Sequence, residues 1–434
     1  MRLKLLFINP WIYDFAAINL WSLPLGMYEV TKYLCRYVLS IESIDCMDTY
    51  YQKKFGTGKY RKEIVEKPEC LKSIPRKYGR YGISIDEFKK RLSNCVFPDI
   101  VLVTSIMSYW YPGVQKVVEI LRDFYRNIPI ILGGIYATLW HKHAEEKSGA
   151  DFVYRGSISE AISTAFNKFG LVLKNSKVLE RQAITDKFKY AFAPVLTSMG
   201  CPFRCTYCAS SLLSNEFIQL PVDKVLIEIL NFASKGIRDF AFYDDALLVN
   251  SNSHIKPLLK EIISRKLNIR FHCPNGLHAR AIDDELAYLM KKAGFVTLRL
   301  SLETVNTERQ KNTGGKVNSM ELRNAISHLK KNGFTKEHIG VYLMYGLPGQ
   351  DIDEVKAGID FIKSLDVRIN LTEFSPIPGT QCWDELVRKC VITEKLDPLL
   401  TNNTVFSYLF SGYSHKEIEN IKSNVKNHNA IIQT

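Results

Sequence analysis

Short β-rich runs, several of them almost wholly apolar, alternate with helical patterns along most of this chain and leave few folds open to it. In the first 170 residues, strands are read at 3–8, 40–47, 99–104, 128–132 and 151–154. Helices are read at 23–38 and 112–126, with one running through Ala144 and another through Phe169. A strand with no polar face is buried on both sides, as in a parallel sheet covered by helices. Five such units make a doubly wound α/β domain, whose ligands sit at the carboxyl ends of its strands. A polar stretch at 175–190 reads as a linker. Six more strands follow, at 193–198, 239–243, 269–273, 297–302, 340–345 and 370–374, with helical patterns such as 222–233, 284–292 and 320–332 between them. Six regular repeats curl most naturally into a barrel or partial barrel, where chemistry gathers at the strands' carboxyl ends. The expected organisation is an α/β domain over 1–174, a barrel over 191–385 and a helical tail over 386–434.

With 434 residues, two or three domains are expected. The 46% hydrophobic and 24% charged residues exclude disorder, collagen and coiled coil. No run reaches the 18 or so apolar residues of a membrane span, and Asn9-Pro10 ends the first apolar run too early for a signal peptide. Ten cysteines are too dilute for a disulfide scaffold. The reading is a cytoplasmic protein whose thiols stay reduced and available for metal or catalysis.

One cysteine cluster dominates: Cys201-Pro202-Phe203-Arg204-Cys205-Thr206-Tyr207-Cys208, in the loop after the first barrel strand. Three thiolates at i, i+4 and i+7 can hold three irons of a [4Fe–4S] cube and leave the fourth iron without a protein ligand. An open metal position is what catalysis needs. Zinc would require a fourth ligand, and the next His or Cys, His254, is more than forty residues on.

This motif resembles that of the radical SAM superfamily, Cys-x3-Cys-x2-Cys after the first strand of a six-stranded partial TIM barrel. The resemblance implies that Cys201, Cys205 and Cys208 ligate the cluster. It also implies that the open iron chelates S-adenosylmethionine and that reductive cleavage gives a 5′-deoxyadenosyl radical. Tyr207 then packs against adenine. Tyr243-Asp244-Asp245, ending the second strand, stands where the family grips the methionine ammonium. Ser301-Leu302-Glu303-Thr304 resembles the element reaching the ribose hydroxyls. Gly346, in Tyr345-Gly346-Leu347-Pro348-Gly349, stands in a turn resembling the Gly-Leu-Pro-Gly turn that lines the adenine site, and Pro376, in Ser375-Pro376-Ile377-Pro378-Gly379-Thr380, in a sixth-strand ending also typical of the family's SAM site. Each turn alone is ordinary Gly/Pro chemistry; together, at the ends of successive strands, they carry weight.

An α/β domain ahead of such a barrel resembles the cobalamin-binding class of the superfamily. Ser105 and Gly133-Gly134 match that class's nucleotide-tail groove. The loop Asn9–Ala17, however, lacks the histidine of Asp-x-His-x-x-Gly, so cobalt is expected to carry no histidine ligand. Gly156-Ser157-Ile158-Ser159-Glu160 echoes a Gly-x-Gly-Glu element near that domain's end. His141 and His143 read as ordinary polar groups at a helix start. Cys273, ending the third barrel strand, is a candidate hydrogen-atom or proton donor that also has a plain packing role open to it.

Most of the net +13 charge lies in an insertion at 51–95, with 13 Lys+Arg against 5 Asp+Glu and interleaved aromatics. It reads as a cap over an anionic cofactor or substrate, or as a solvated folded excursion; nucleic acid is the least favoured reading.

The function expected is a radical SAM enzyme, a cobalamin-dependent methyltransferase acting on an unactivated centre of a small molecule or peptide. It would be served by a low-potential donor such as flavodoxin or ferredoxin, with no membrane partner. The rivals are a radical rearrangement, cyclisation or oxidation enzyme with a vestigial cobalamin domain, and a non-catalytic iron–sulfur module binding nucleic acid.

Overall fold

The computed structural model describes residues 3–34, 37, 39–156, 158–171 and 191–432. It divides into two compact units, Met1–Lys189 with Leu396–Asn402 and Tyr190–Lys395 with Asn403–Thr434. The linker read at 175–190 and Ser157 of the Gly-x-Gly-Glu echo lie outside the described residues.

In the first unit, β1 (Leu3–Asn9), β2 (Leu39–Asp45), β3 (Ile100–Val103), β4 (Ile130–Leu132) and β5 (Phe152–Val153) form one parallel sheet in the order β5-β4-β3-β1-β2. This is the flavodoxin-like doubly wound order, whose direction of winding reverses between β1 and β3. Leu5, Phe7, Leu102 and Ile131 bury one face against Met27, Leu34 and Phe166. Where the sequence predicted one helix through Ala144, there are two, Ile135–Leu139 and His141–Lys147. Trp140 separates them, its backbone having left helical geometry at ψ 44°.

The basic insertion is folded. Gly58–Tyr60 pairs with Ile18–Asn19 and Tyr50–Gln52, Gly79–Tyr81 pairs with Ile12–Asp14 and Lys62–Ile64, and Ser84 caps the helix Ile85–Asn94. Tyr60, Tyr78, Tyr81 and Phe88 are buried rather than free to stack on bases. Arg80 pairs with Glu63, and Arg91 with Asp48 and Glu87. Arg80 and Arg91 are thus held in ion pairs, while the insertion, with 13 Lys+Arg against 5 Asp+Glu, keeps its net charge of +8.

In the second unit, β6 (Phe192–Val195), β7 (Asp239–Phe242), β8 (Arg270–His272), β9 (Phe295–Glu303), β10 (Ile339–Tyr345) and β11 (Arg368–Glu373) are parallel and adjacent in chain order. This is the partial (β/α)6 barrel. Its helices start where the sequence supplies caps: Asp283 before Asp284–Ala293, Asn318 with Glu321 as a capping box before Ser319–Lys331, and Asp351 before Ile352–Ser364. The tail forms helices Asn403–Phe410 and His415–Ile432, while Leu396–Asn402 belongs to the first unit. Among the described residues no helix is long and apolar enough to cross a membrane.

Candidate active site at the barrel mouth

The first barrel strand stops at Val195, short of the expected Ser198, because the next residues turn to satisfy a carboxylate. Asp244 Oδ1 accepts from Thr197 N (2.9 Å), Thr197 Oγ1 (2.7 Å) and Ser198 Oγ (2.7 Å). The end of β7 is thus stapled to the start of the cysteine loop. The other oxygen, Oδ2, is buried with no partner, and burial pushes this carboxyl above its ordinary range. Asp244 therefore has a structural duty and one acceptor left over.

From that staple the loop presents three free thiols, Cys201 and Cys205 half-buried and Cys208 exposed. Burial raises all three, Cys205 to about 11, and Lys316 opposes the rise at each. Cys201 and Cys205 are each raised further by Cys208. Among the described residues no three His, Cys, Asp or Glu converge on a single ion; a cube that takes each thiolate on a different iron does not require such convergence. Soft thiolates suit iron–sulfur, and a nearby cation favours the deprotonated form that ligates.

Lys316 is the residue that sequence reading missed. It follows Gly314-Gly315 in the loop after the helix Thr307–Asn312. Gly314 has φ +114°, and a Cβ there would stand 2.9 Å from Cys205 Cα. Two glycines therefore let this loop press onto the cysteine loop, and that close approach is the signal a reader could have found. Lys316 Nζ donates to Ser301 Oγ at 2.9 Å.

Ser301 and Glu303 lie at the end of β9, where the pairing with β10 slips by one residue and Glu303 takes φ +67°. A non-glycine residue at positive φ is uncommon, and a bulge re-aims the side chain that follows it. Glu303 is turned so that its carboxyl meets the hydroxyls of Ser301 and Tyr207, with burial raising its pKa. Asp245 lies on the other side, accepting from Ser210 and close enough to raise Cys201 and Cys208.

The structure thus brings together Cys201, Cys205, Cys208, Tyr207, Asp245, Ser301, Glu303 and Lys316. Tyr243 contributes its backbone, N to Val195 O and O from Asn275 Nδ2. Gly346 (φ +84°) and the buried Pro376 occupy the turns after β10 and β11. Cys273 is buried, its thiol raised strongly by desolvation and then by Asp244. His278, also unforeseen, stacks on Phe203 of the cysteine loop at 4.4 Å. It is 2% exposed with both ring nitrogens unpartnered, and burial, then Lys316 and Arg280, hold it down to about 3.

At the strand ends of the first unit, Ser105 Oγ donates to Gly133 O (2.7 Å). Gly134 has φ +99°, and a Cβ there would meet Ser105 O at 2.2 Å, whereas a Cβ on Gly133 meets nothing within 4 Å. Only the first of the two glycines borders open space. His143 is spent on Tyr136 Oη (2.7 Å) and His141 on Ala137 O (3.2 Å).

Comparison with known proteins agrees with this geometry. The chain is 26% identical over 324 residues to an uncharacterised methyltransferase of Pyrococcus horikoshii, covering 66% of this chain and 69% of that one. It spans about half the length of the ribosomal protein uS12 methylthiotransferases it also matches, being 22% identical to that of Phocaeicola vulgatus over 53% of this chain and 55% of that one. Its fold resembles the radical S-adenosylmethionine methyltransferase TsrM of Kitasatospora setae, solved with tryptophan and a SAM analogue (TM-score 0.66, 17% identity, 89% of this chain, 76% of that one). It also resembles the cobalamin-dependent S-adenosylmethionine radical enzyme OxsB (TM-score 0.63, 12% identity, 99% and 72%). The radical SAM superfamily model matches residues 195–362, the stretch from the last residue of β6 to the helix behind β10, and this part of the chain is accordingly a radical SAM domain.

Proposed function

We propose that this enzyme is a cobalamin-dependent methyltransferase acting on an unactivated carbon or phosphorus centre of a small molecule or peptide. The observation that carries the radical half is the meeting of three thiols, Lys316, Tyr207, Ser301 and Glu303 at the mouth of one barrel. The methyl-donor half rests on the flavodoxin-like strand order, with Gly133 bordering open space at the strand ends, and on the likeness in fold to cobalamin-dependent enzymes.

When bound, a reduced cluster supplies the electron that cleaves SAM, and a corrinoid supplies the methyl group. Cys201, Cys205 and Cys208 would hold the cluster. Lys316 offsets the thiolates' negative charge and offers a cation to a carboxylate. The spare oxygen of Asp244 and the exposed carboxylate of Asp245 accept from an ammonium. Glu303, steadied by Tyr207 and Ser301, accepts from sugar hydroxyls. In the first unit Ser105 holds the loop around Gly133. A flavodoxin or ferredoxin in the cytoplasm would deliver the electron.

Anaerobic reconstitution under reductant with and without hydroxocobalamin, whose cob(I) form can take the methyl group of SAM, followed by mass spectrometry of SAM-derived products, tests the assignment. 5′-Deoxyadenosine with S-adenosylhomocysteine, the latter appearing only with cobalamin, is expected. 5′-Deoxyadenosine alone, whatever corrinoid is added, overturns methyl transfer in favour of rearrangement or oxidation. Neither product overturns both halves.

A further inference from the structure

Side chains alternate between the lumen and the helices along the barrel strands. Leu343 marks the outer row of β10, since it packs against Gly358 of the helix Ile352–Ser364. The inner rows of β9, β10 and β11 then hold Arg299, Gly340 and Arg368 at one level, because Arg299 pairs with Gly340 and Gly340 with Arg368. One level higher, Tyr342 pairs with Asn370.

Gly340 is what lets this level be occupied as it is. A Cβ there would stand 2.3 Å from Asn370 Oδ1 and 2.9 Å from Arg299 Cδ. The Arg299 side chain lies across the strand in the space that a side chain at 340 would fill. Its Nη1 donates to Leu298 O (2.9 Å), and the charges around it are Tyr342, Arg368 and Cys273. Among the described residues neither arginine has an ion pair, and Arg368 Nε and Asn370 Oδ1 are buried without a partner. Burial holds Arg299 down to about 10; Tyr342 opposes the fall, and Arg368 adds to it.

Two neighbouring guanidiniums with no carboxylate are costly, since a buried charge is normally paired. They are also the group best shaped to grip a carboxylate or a phosphate in two parallel hydrogen bonds. The lumen is accessible there: Arg299, Tyr342, Arg368 and Asn370 are half-buried, while the outward Leu298, Leu300, Val341 and Leu343 are fully buried. Arg299 lies four residues before Glu303 on β9, roughly 13 Å along the strand. A small molecule anchored at the arginines would reach up toward the mouth.

We propose that Arg299 and Arg368 form a substrate subsite for an oxyanion, a carboxylate or phosphate group at the end of the substrate remote from the reacting atom. The inference rests on the barrel being the catalytic chamber, as argued above. Isothermal titration of the reconstituted protein with inorganic phosphate and with benzoate should show one of them binding. That binding should weaken at least tenfold in Arg299→Met and in Arg368→Met, and less in Arg299→Lys. Binding of phosphate alone marks a phosphorylated substrate, and of benzoate alone a carboxylic acid. Wild-type iron content in each variant certifies its fold. Crystals of the unaltered protein soaked in selenate or 4-bromobenzoate give a check free of mutation, an anomalous peak beside both guanidiniums being expected. No binding to wild type, unchanged binding in both Met variants, or peaks only elsewhere would overturn the subsite. Failure of the barrel reading is separate, because it would appear as wild-type protein that takes up no iron–sulfur cluster.

Discussion

The strand ends of the two units treat their polar groups in opposite ways. In the barrel, Asp244 Oδ2 and both nitrogens of His278 are buried without a partner, three thiols stand outside any disulfide, and Glu303 sits in a strained backbone. In the flavodoxin-like unit Tyr78 Oη is buried without a partner, but the polar groups at the strand ends are spent on neighbours. Buried Asp14 accepts from Trp110 Nε1 (2.7 Å), Phe15 N (2.6 Å) and Asn402 Nδ2 (3.0 Å), Tyr136 meets His143, and Ser105 meets Gly133. What that unit offers is space beside one glycine. Unspent donors and acceptors mark a site that does chemistry, since each costs stability until a ligand satisfies it. An empty wall beside satisfied groups fits a ligand held by shape.

The largest effect expected is on the barrel side. Replacing Cys201, Cys205 or Cys208 with Ala should remove the iron–sulfur absorbance and reduce 5′-deoxyadenosine to background, as read by iron analysis and mass spectrometry. Normal product from the triple variant would erase the contrast between the units. The brown colour of the wild type should bleach in air, because the open iron is exposed to oxidants.

On the other side, two adjacent glycines should behave differently. Gly133→Val should abolish retention of hydroxocobalamin on desalting, with iron–sulfur absorbance and melting temperature unchanged. Gly134→Val forces a β-branched residue into φ +99° and against Ser105 O. It should lower the stability of its own unit, at roughly 1–3 kcal/mol for the backbone alone. Reduced to cob(II)alamin, the wild type should show no imidazole splitting by electron paramagnetic resonance. Full retention in Gly133→Val would mean that the open space is not a cobalamin wall.

A smaller, graded effect is expected for SAM. Asp244→Ala would confuse two roles, because the residue also anchors Thr197 and Ser198. Asp244→Asn keeps an acceptor for the staple and removes the spare one. It should weaken SAM binding about tenfold with iron content intact, as expected when a charged hydrogen bond of about 1.5–3 kcal/mol is lost. Asp245→Ala, Glu303→Ala and Lys316→Met should act in the same direction in calorimetry. Unchanged affinity in all four would show that these groups are unspent for some other ligand.

These tests follow the division between what the sequence discloses and what it conceals. The alternation of apolar runs and helices made both sheets legible, because burial on two faces writes itself into every residue of a strand. The cysteine motif was legible because its spacing is local. Lys316, His278 and the Arg299–Arg368 pair were not, since each depends on which loops or strands meet, and parallel strands here pair residues more than twenty positions apart. The broken helix at Trp140 and the strands within the insertion were missed for a related reason. Short irregular elements are held by tertiary contacts, such as Trp11 on Phe88 (4.8 Å), that no periodicity announces.

The smallest effect compares two histidines. Both lie below their ordinary range, burial being the main cause, but His143 has a partner in Tyr136 and His278 has none. A histidine whose folded pKa is depressed leaves stability intact above its unfolded value, about 6.5, and removes it as pH falls from there toward the folded value. With His278 held down to about 3, the loss at pH 5.5 is about 1.4 kcal/mol. His278→Phe keeps a ring on Phe203 and removes the proton site, so the barrel unit's melting temperature should fall less between pH 7 and 5.5 than in wild type. His143→Phe also removes a proton site, but it strands the hydroxyl of fully buried Tyr136, which costs about 1–3 kcal/mol at any pH. That variant should melt lower across the whole range. If the two variants shift the melting curve alike, the difference between spent and unspent imidazoles has no energetic content.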